Sequence, residues 1–121
     1  MSASISAAPL ADSGLSDADY ARNTSALLAA IEATTDRWLE ADVIDIDSQR
    51  TGGLLELTFP DQSKIIVNTQ PPLHEVWLAA KAGGFHYRWN GAQWTDTRDG
   101  SEFLAVLSRQ ASAQGKKTLK F

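Results

Sequence analysis

A chain of 121 residues that is 43% hydrophobic and holds four tryptophans suits one domain around one core. It has no cysteine, which excludes disulfides, thiolate metal sites, cysteine nucleophiles and any iron–sulfur cluster held by the chain's own thiols. The formal charge of −4 is unevenly spread: residues 1–61 carry eleven acidic side chains against three basic ones, and residues 62–121 carry four against eight, so the molecule is electrically polarised.

Residues 1–14 are small and polar with no sustained period, and are expected to form a flexible N-terminal extension to a domain at 15–121. They have neither the apolar core of a secretory signal nor the arginines of a mitochondrial presequence, and no apolar run in the chain could cross a bilayer. The expectation is a cytoplasmic protein with no membrane contact. Ser16 reads as an N-cap, with Asp17 and Asp19 in the first turn. Tyr20, Leu27, Leu28, Ile31 and Trp38 follow at helical spacing, which predicts a long helix ending near Ala41.

Ile44 and Ile46 alternate with Asp45 and Asp47 in a strand pattern that reaches Gly52-Gly53, a pair suited to a tight hairpin. Leu55, Leu57 and Phe59 then alternate with Glu56 and Thr58. After the turn at Pro60 to Gln62 come strands over Lys64 to Thr69 and Glu75 to Ala80, then a strand in which Phe85, Tyr87 and Trp89 alternate with His86 and Arg88. Asn90-Gly91 is the strongest hairpin signal and leads to a short strand around Trp94. A last helix is expected from Asp99 or Ser101, where Asp99 and Glu102 resemble a capping box, to Gly115. Lys116, Lys117 and Lys120 form the only dense basic cluster and read as a solvated C-terminus, not as a nucleic-acid surface. Two helices flanking about six hairpin-connected strands predict an α+β two-layer sandwich, both helices packed on one face of a roughly six-stranded antiparallel sheet.

Two groups of residues stand out. Strand parity collects Asn68, Gln70, Trp77, His86 and Arg88 on the face opposite the core. An outward tryptophan among amide and cationic groups suits a protein–protein contact, while the same parity also fits a tryptophan that caps the sheet or lies under a loop. As a catalytic site the group is poor, with no nucleophile and no carboxylate pair. The second group is acidic: Glu32, Asp36 and Glu40 at i, i+4 spacing, then Asp42, Asp45 and Asp47. Like charges at that spacing cost a helix about 0.2–0.5 kcal/mol per pair, and acids in its last turn oppose the macrodipole. Such a ridge reads either as a solvated charged face or as a collector of hard cations such as iron, manganese, calcium or magnesium. His74 and His86 have no second histidine at ligand spacing and read as hydrogen-bonding surface residues.

The run from Asn68 through Pro72-Leu73-His74-Glu75-Val76-Trp77-Leu78 to Gly83-Gly84-Phe85-His86-Tyr87, with Trp94 beyond it, resembles the signature of the frataxin family, in wording closest to its bacterial branch. The resemblance covers roughly Leu15 to Phe121. It implies a non-enzymatic, iron-binding regulator or iron donor in iron–sulfur cluster assembly. Iron, Fe2+ or Fe3+, would sit weakly at the surface carboxylates of Glu32, Asp36, Glu40, Asp42, Asp45 and Asp47. The partners it implies are a cysteine desulfurase and the scaffold proteins of assembly, met through the acidic ridge and through Asn68, Gln70, Trp77, His86 and Arg88. Bacterial frataxins tend to carry denser acidic runs at this junction than a chain interrupted by Thr34, Thr35, Arg37, Trp38 and Leu39, which lowers the expected iron capacity. The rival readings are an iron-storage or ferroxidase-type oligomer, in place of a monomer, and an adaptor whose acids bind only protein.

Overall fold

The computed structural model describes residues 14–121, so the extension expected over residues 1–14 lies, Gly14 apart, outside the described residues. Helix α1 (Asp17–Glu40) starts as the sequence predicts: the Ser16 side chain accepts a hydrogen bond from the Asp19 N–H at 3.0 Å, and Asp17 and Asp19 fill the first turn. Tyr20, Leu27, Leu28 and Ile31 form its buried stripe. Thr24, Thr34 and Thr35 are buried on the same helix, and each hydroxyl donates back to a carbonyl of the preceding turn, which satisfies a polar group that would otherwise be stranded in the core.

Six strands follow in sequence: β1 (Asp47–Thr51), β2 (Leu54–Thr58), β3 (Lys64–Gln70), β4 (Glu75–Ala80), β5 (Gly83–Trp89) and β6 (Trp94–Asp96). They form one antiparallel sheet in chain order, each strand beside the next. Helix α2 (Phe103–Gly115) closes the fold. Leu55, Leu57, Ile65, Val67, Val76, Leu78 and Tyr87 point from the sheet into one core with Leu28 and Ile31 of α1 and Phe103, Val106 and Leu107 of α2. Both helices therefore cover the same sheet face, and truncating a side chain such as Leu28 to alanine costs about 2–5 kcal/mol. The other face is left to solvent.

Three local features differ from the pattern in the sequence. The first strand begins at Asp47, not at Ile44. Asp42 takes a left-handed turn at φ 59°, the Val43 N–H bonds to the Trp38 carbonyl, and Ile44 and Ile46 tuck against the core without entering the sheet ladder. Apolar–acidic alternation recorded burial there, not strand pairing. Helix α2 begins at Phe103, because Glu102 is itself the N-cap and its carboxylate accepts from the Leu104 and Ala105 N–H groups at 2.7 and 3.0 Å. Asp99 is engaged earlier, by the Ser101 N–H at 2.9 Å. Finally, the C-terminal tail is not simply solvated. Leu119 is buried, Phe121 packs on Trp38 at 4.7 Å between ring centroids, and the Lys117 ammonium donates to the Val43 carbonyl. Gly115 permits this, since a Cβ there would meet Leu119 and Ile44 at 2.9 and 3.0 Å, while Lys116 takes the left-handed cap at φ 58°.

Candidate functional site

Register brings the outward residues together in cross-strand rows. Leu54, Asn68, Trp77 and His86 are paired across β2, β3, β4 and β5, and Gln70, Glu75, Arg88 and Thr95 across β3 to β6. On the other side of the tryptophan row lie Ile66, Ala79 and Gly84, whose small members leave a notch of about 210 Å³ beside the indole. Asn68, Gln70, Trp77, His86 and Arg88 thus occupy one continuous patch of the sheet's open face.

Trp77 is half-buried, not fully outward: the His86 ring stacks on it, and beside it lies Glu75. Its side chain is only 9% exposed although it shares the solvent parity. One carboxylate oxygen accepts from the Trp77 indole N–H at 2.8 Å and the other from the Arg88 Nε–H at 2.9 Å, with His86 Nδ1 3.8 Å from the first. The Trp77 and His86 rings stack, 4.2 Å between centroids and 6° from parallel. Behind this cluster the Tyr20 hydroxyl donates to the Glu75 carbonyl at 2.6 Å and accepts from the Gln70 N–H at 3.0 Å. Burial pushes the Tyr20 phenol up, so it stays a donor. His74, at φ 52° in the turn between β3 and β4, stacks on Tyr20 and reaches Asp17 at 2.7 Å, which ties that turn to the start of α1. Strand parity puts Glu75 outward beside Trp77 but gives no sign that it is buried, because parity assigns a face and not the neighbours that close over it.

The acidic ridge is built differently. Asp36, Glu40, Asp42, Asp45 and Asp47 are exposed, and among the described residues their carboxylates make no hydrogen bond or ion pair. Glu32 stands apart: it pairs with Arg50 of β1 at 3.0 Å, and Arg50 also reaches Ser25 of α1. Among the described residues no three Asp, Glu or His side chains converge into a group that could hold a metal ion. The ridge is therefore a field of separate charges, not a preformed cage. Leu39, 54% exposed, sits among them and was not singled out by the sequence.

A frataxin-like domain model matches residues 13–117. The chain belongs to the frataxin family. An iron–sulfur cluster assembly protein CyaY from Polaromonas sp. is 50% identical over 107 residues, covering 88% of this chain and 92% of that protein. Among solved structures, a frataxin from Psychromonas ingrahamii, studied for stability modulation within the CyaY family, superposes with a TM-score of 0.75 at 38% identity, over 86% of this chain and 95% of that one. A trimeric yeast frataxin from Saccharomyces cerevisiae, complexed with ferrous iron, has a TM-score of 0.66 at 23% identity, over 78% of this chain and 86% of that one, and at that identity the likeness speaks for the fold. In this frataxin both the open sheet face and the ridge are thus carried on a scaffold held in common with bacterial relatives.

Proposed function

We propose that this frataxin is a non-enzymatic, iron-binding regulator of iron–sulfur cluster assembly in the cytoplasm, docking on a cysteine desulfurase complex through two surfaces. Relatives that are about 50% identical and named for iron–sulfur cluster assembly support the process. The observation that carries the division of labour is the row of five exposed carboxylates, Asp36, Glu40, Asp42, Asp45 and Asp47, at one end of α1, which among the described residues make no hydrogen bond or ion pair. Free carboxylate oxygens suit hard ferrous or ferric iron as cargo, and the same field draws a basic protein surface. Trp77, held among Asn68, Gln70, His86 and Arg88, would then fix the orientation of the docked pair.

A second reading rests on the lack of a converging metal cluster among the described residues: an adaptor whose acids bind only protein. Desulfurase turnover measured with the pure protein, with and without ferrous iron, tests both. The first reading expects the protein to change turnover and iron to alter that change. An iron-independent effect selects the adaptor, and no effect at all rejects desulfurase docking. Sizing with and without iron separates both from an iron-storage oligomer, which would grow.

A further inference from the structure

Glu75 has no obvious reason to be buried. A glutamate on the solvent face of a sheet can extend its carboxylate into water, and desolvating it is unfavourable unless donors replace the water. Here both oxygens are taken by neighbours on the same face, the Trp77 indole and the Arg88 guanidinium, at 2.8 and 2.9 Å. The indole is thereby held at two points, its N–H by Glu75 and its ring face by His86.

We propose that Glu75 is a positioning residue for the docking face, fixing the Trp77 ring before the partner arrives. The inference rests on the reading that the open face docks a protein. Holding the ring in one rotamer removes the ordering cost that a free tryptophan would meet on binding. It also defines what the partner can offer. An indole has a single donor and no acceptor, and Glu75 occupies that donor. The partner therefore meets Trp77 as an apolar plate, and the complementary feature is an aliphatic, aromatic or guanidinium group packed on the ring, not an acceptor for its N–H. Asn68, beside Trp77 in the same row, is left to supply directional hydrogen bonds.

The test uses the whole chain and two readouts. The indole N–H resonances separate Trp77 from Trp38, Trp89 and Trp94, with Trp77→Phe for assignment. Binding to the desulfurase is measured for Glu75→Ala, Glu75→Gln, Trp77→Ala and the Glu75→Ala/Trp77→Ala double variant. Glu75→Ala is expected to move the Trp77 N–H signal upfield, to speed its exchange with solvent, and to weaken binding about tenfold, the scale of one lost hydrogen bond to a charged group. Glu75→Gln keeps a neutral acceptor and should recover most of that loss while the Trp77 signal alone shifts. In the double variant, losing Glu75 should cost no further affinity once Trp77 is gone. An unchanged Trp77 signal in either Glu75 variant overturns the proposal, and so do fully additive losses. If Glu75→Ala does not fold, the Glu75→Gln signal decides. If Trp77→Ala binds normally, the docking reading fails, and the indole signal still reports separately whether Glu75 holds the ring.

Discussion

On the open sheet face the side chains are engaged with one another, whereas the acidic side chains at the far end of α1 make, among the described residues, no hydrogen bond or ion pair. Glu75, Trp77, His86 and Arg88 make a connected group of two hydrogen bonds and one ring stack. Asp36, Glu40, Asp42, Asp45 and Asp47 share only their sign. The difference teaches what each surface can do. A locked aromatic patch supplies shape and register at short range, and its contribution falls off within a contact distance. An array of free charges acts over a Debye length of about 8 Å at physiological salt, tolerates imprecise placement, and suits mobile ions or encounter steering.

The largest effect that would sharpen this contrast is expected from Trp77→Ala. Removing the plate should weaken partner binding by about 2–4 kcal/mol, the range for a hot-spot aromatic. Stability should fall by no more than about 1–3 kcal/mol, because Glu75 loses one donor while the missing ring lets water reach its carboxylate. Titration calorimetry and chemical denaturation read the two quantities. A collapse of stability with binding intact would make Trp77 a structural residue and erase the contrast.

Converting Asp36, Glu40, Asp45 and Asp47 to their amides probes the other region. Iron binding, of order micromolar or about 8 kcal/mol for open surface carboxylates, should be mostly lost. Stability should hold or rise, since relieving the Asp36–Glu40 repulsion returns about 0.2–0.5 kcal/mol and removing an acid from the last helical turn adds about 0.3–1 kcal/mol. Raising salt beyond about 0.15 M should weaken desulfurase docking in the native chain and do little in the variant. Iron uptake unchanged in the four-fold variant would move the metal elsewhere. A marked drop in melting temperature would show that these acids are bound to the fold after all.

Much of this arrangement was legible in the sequence, for an identifiable reason. Period-two alternation fixed the faces of Ile65, Val67, Val76 and Leu78, and Asn90-Gly91 fixed a hairpin in which the Asn90 side chain accepts from the N–H groups of Ala92 and Gln93. What stayed hidden depends on contacts between distant positions. Glu75 meets Arg88 thirteen residues away, and Glu32 meets Arg50 eighteen residues away. Neither pairing leaves a local trace. The start of α2 is ambiguous in the sequence for a subtler cause: Asp99 and Glu102 both have capping chemistry, and only the backbone path decides that Glu102 caps the helix while Asp99 closes the turn before it.

The smallest expected effect marks where the ridge ends and the fold begins. Glu32 shares helical spacing with Asp36 and Glu40, yet its carboxylate is held by Arg50, and both side chains are about one-third exposed. A pair in that setting contributes about 0.2–1 kcal/mol. Glu32→Gln loses that pairing but also loses the repulsion from Asp36, about 0.2–0.5 kcal/mol, so the net change should be a destabilisation of about 0.5 kcal/mol or less. For a chain of this size that is a drop in melting temperature of about 3 °C or less. Arg50 keeps its bond to Ser25, so β1 should stay docked on α1. Iron titration should be almost unchanged, because the carboxylate removed was already neutralised by a guanidinium. Should Glu32→Gln instead reduce iron binding as much as the four-fold variant does, the ion pair must open to admit metal, and the boundary between the paired and the free acids would have to be drawn beyond Glu32.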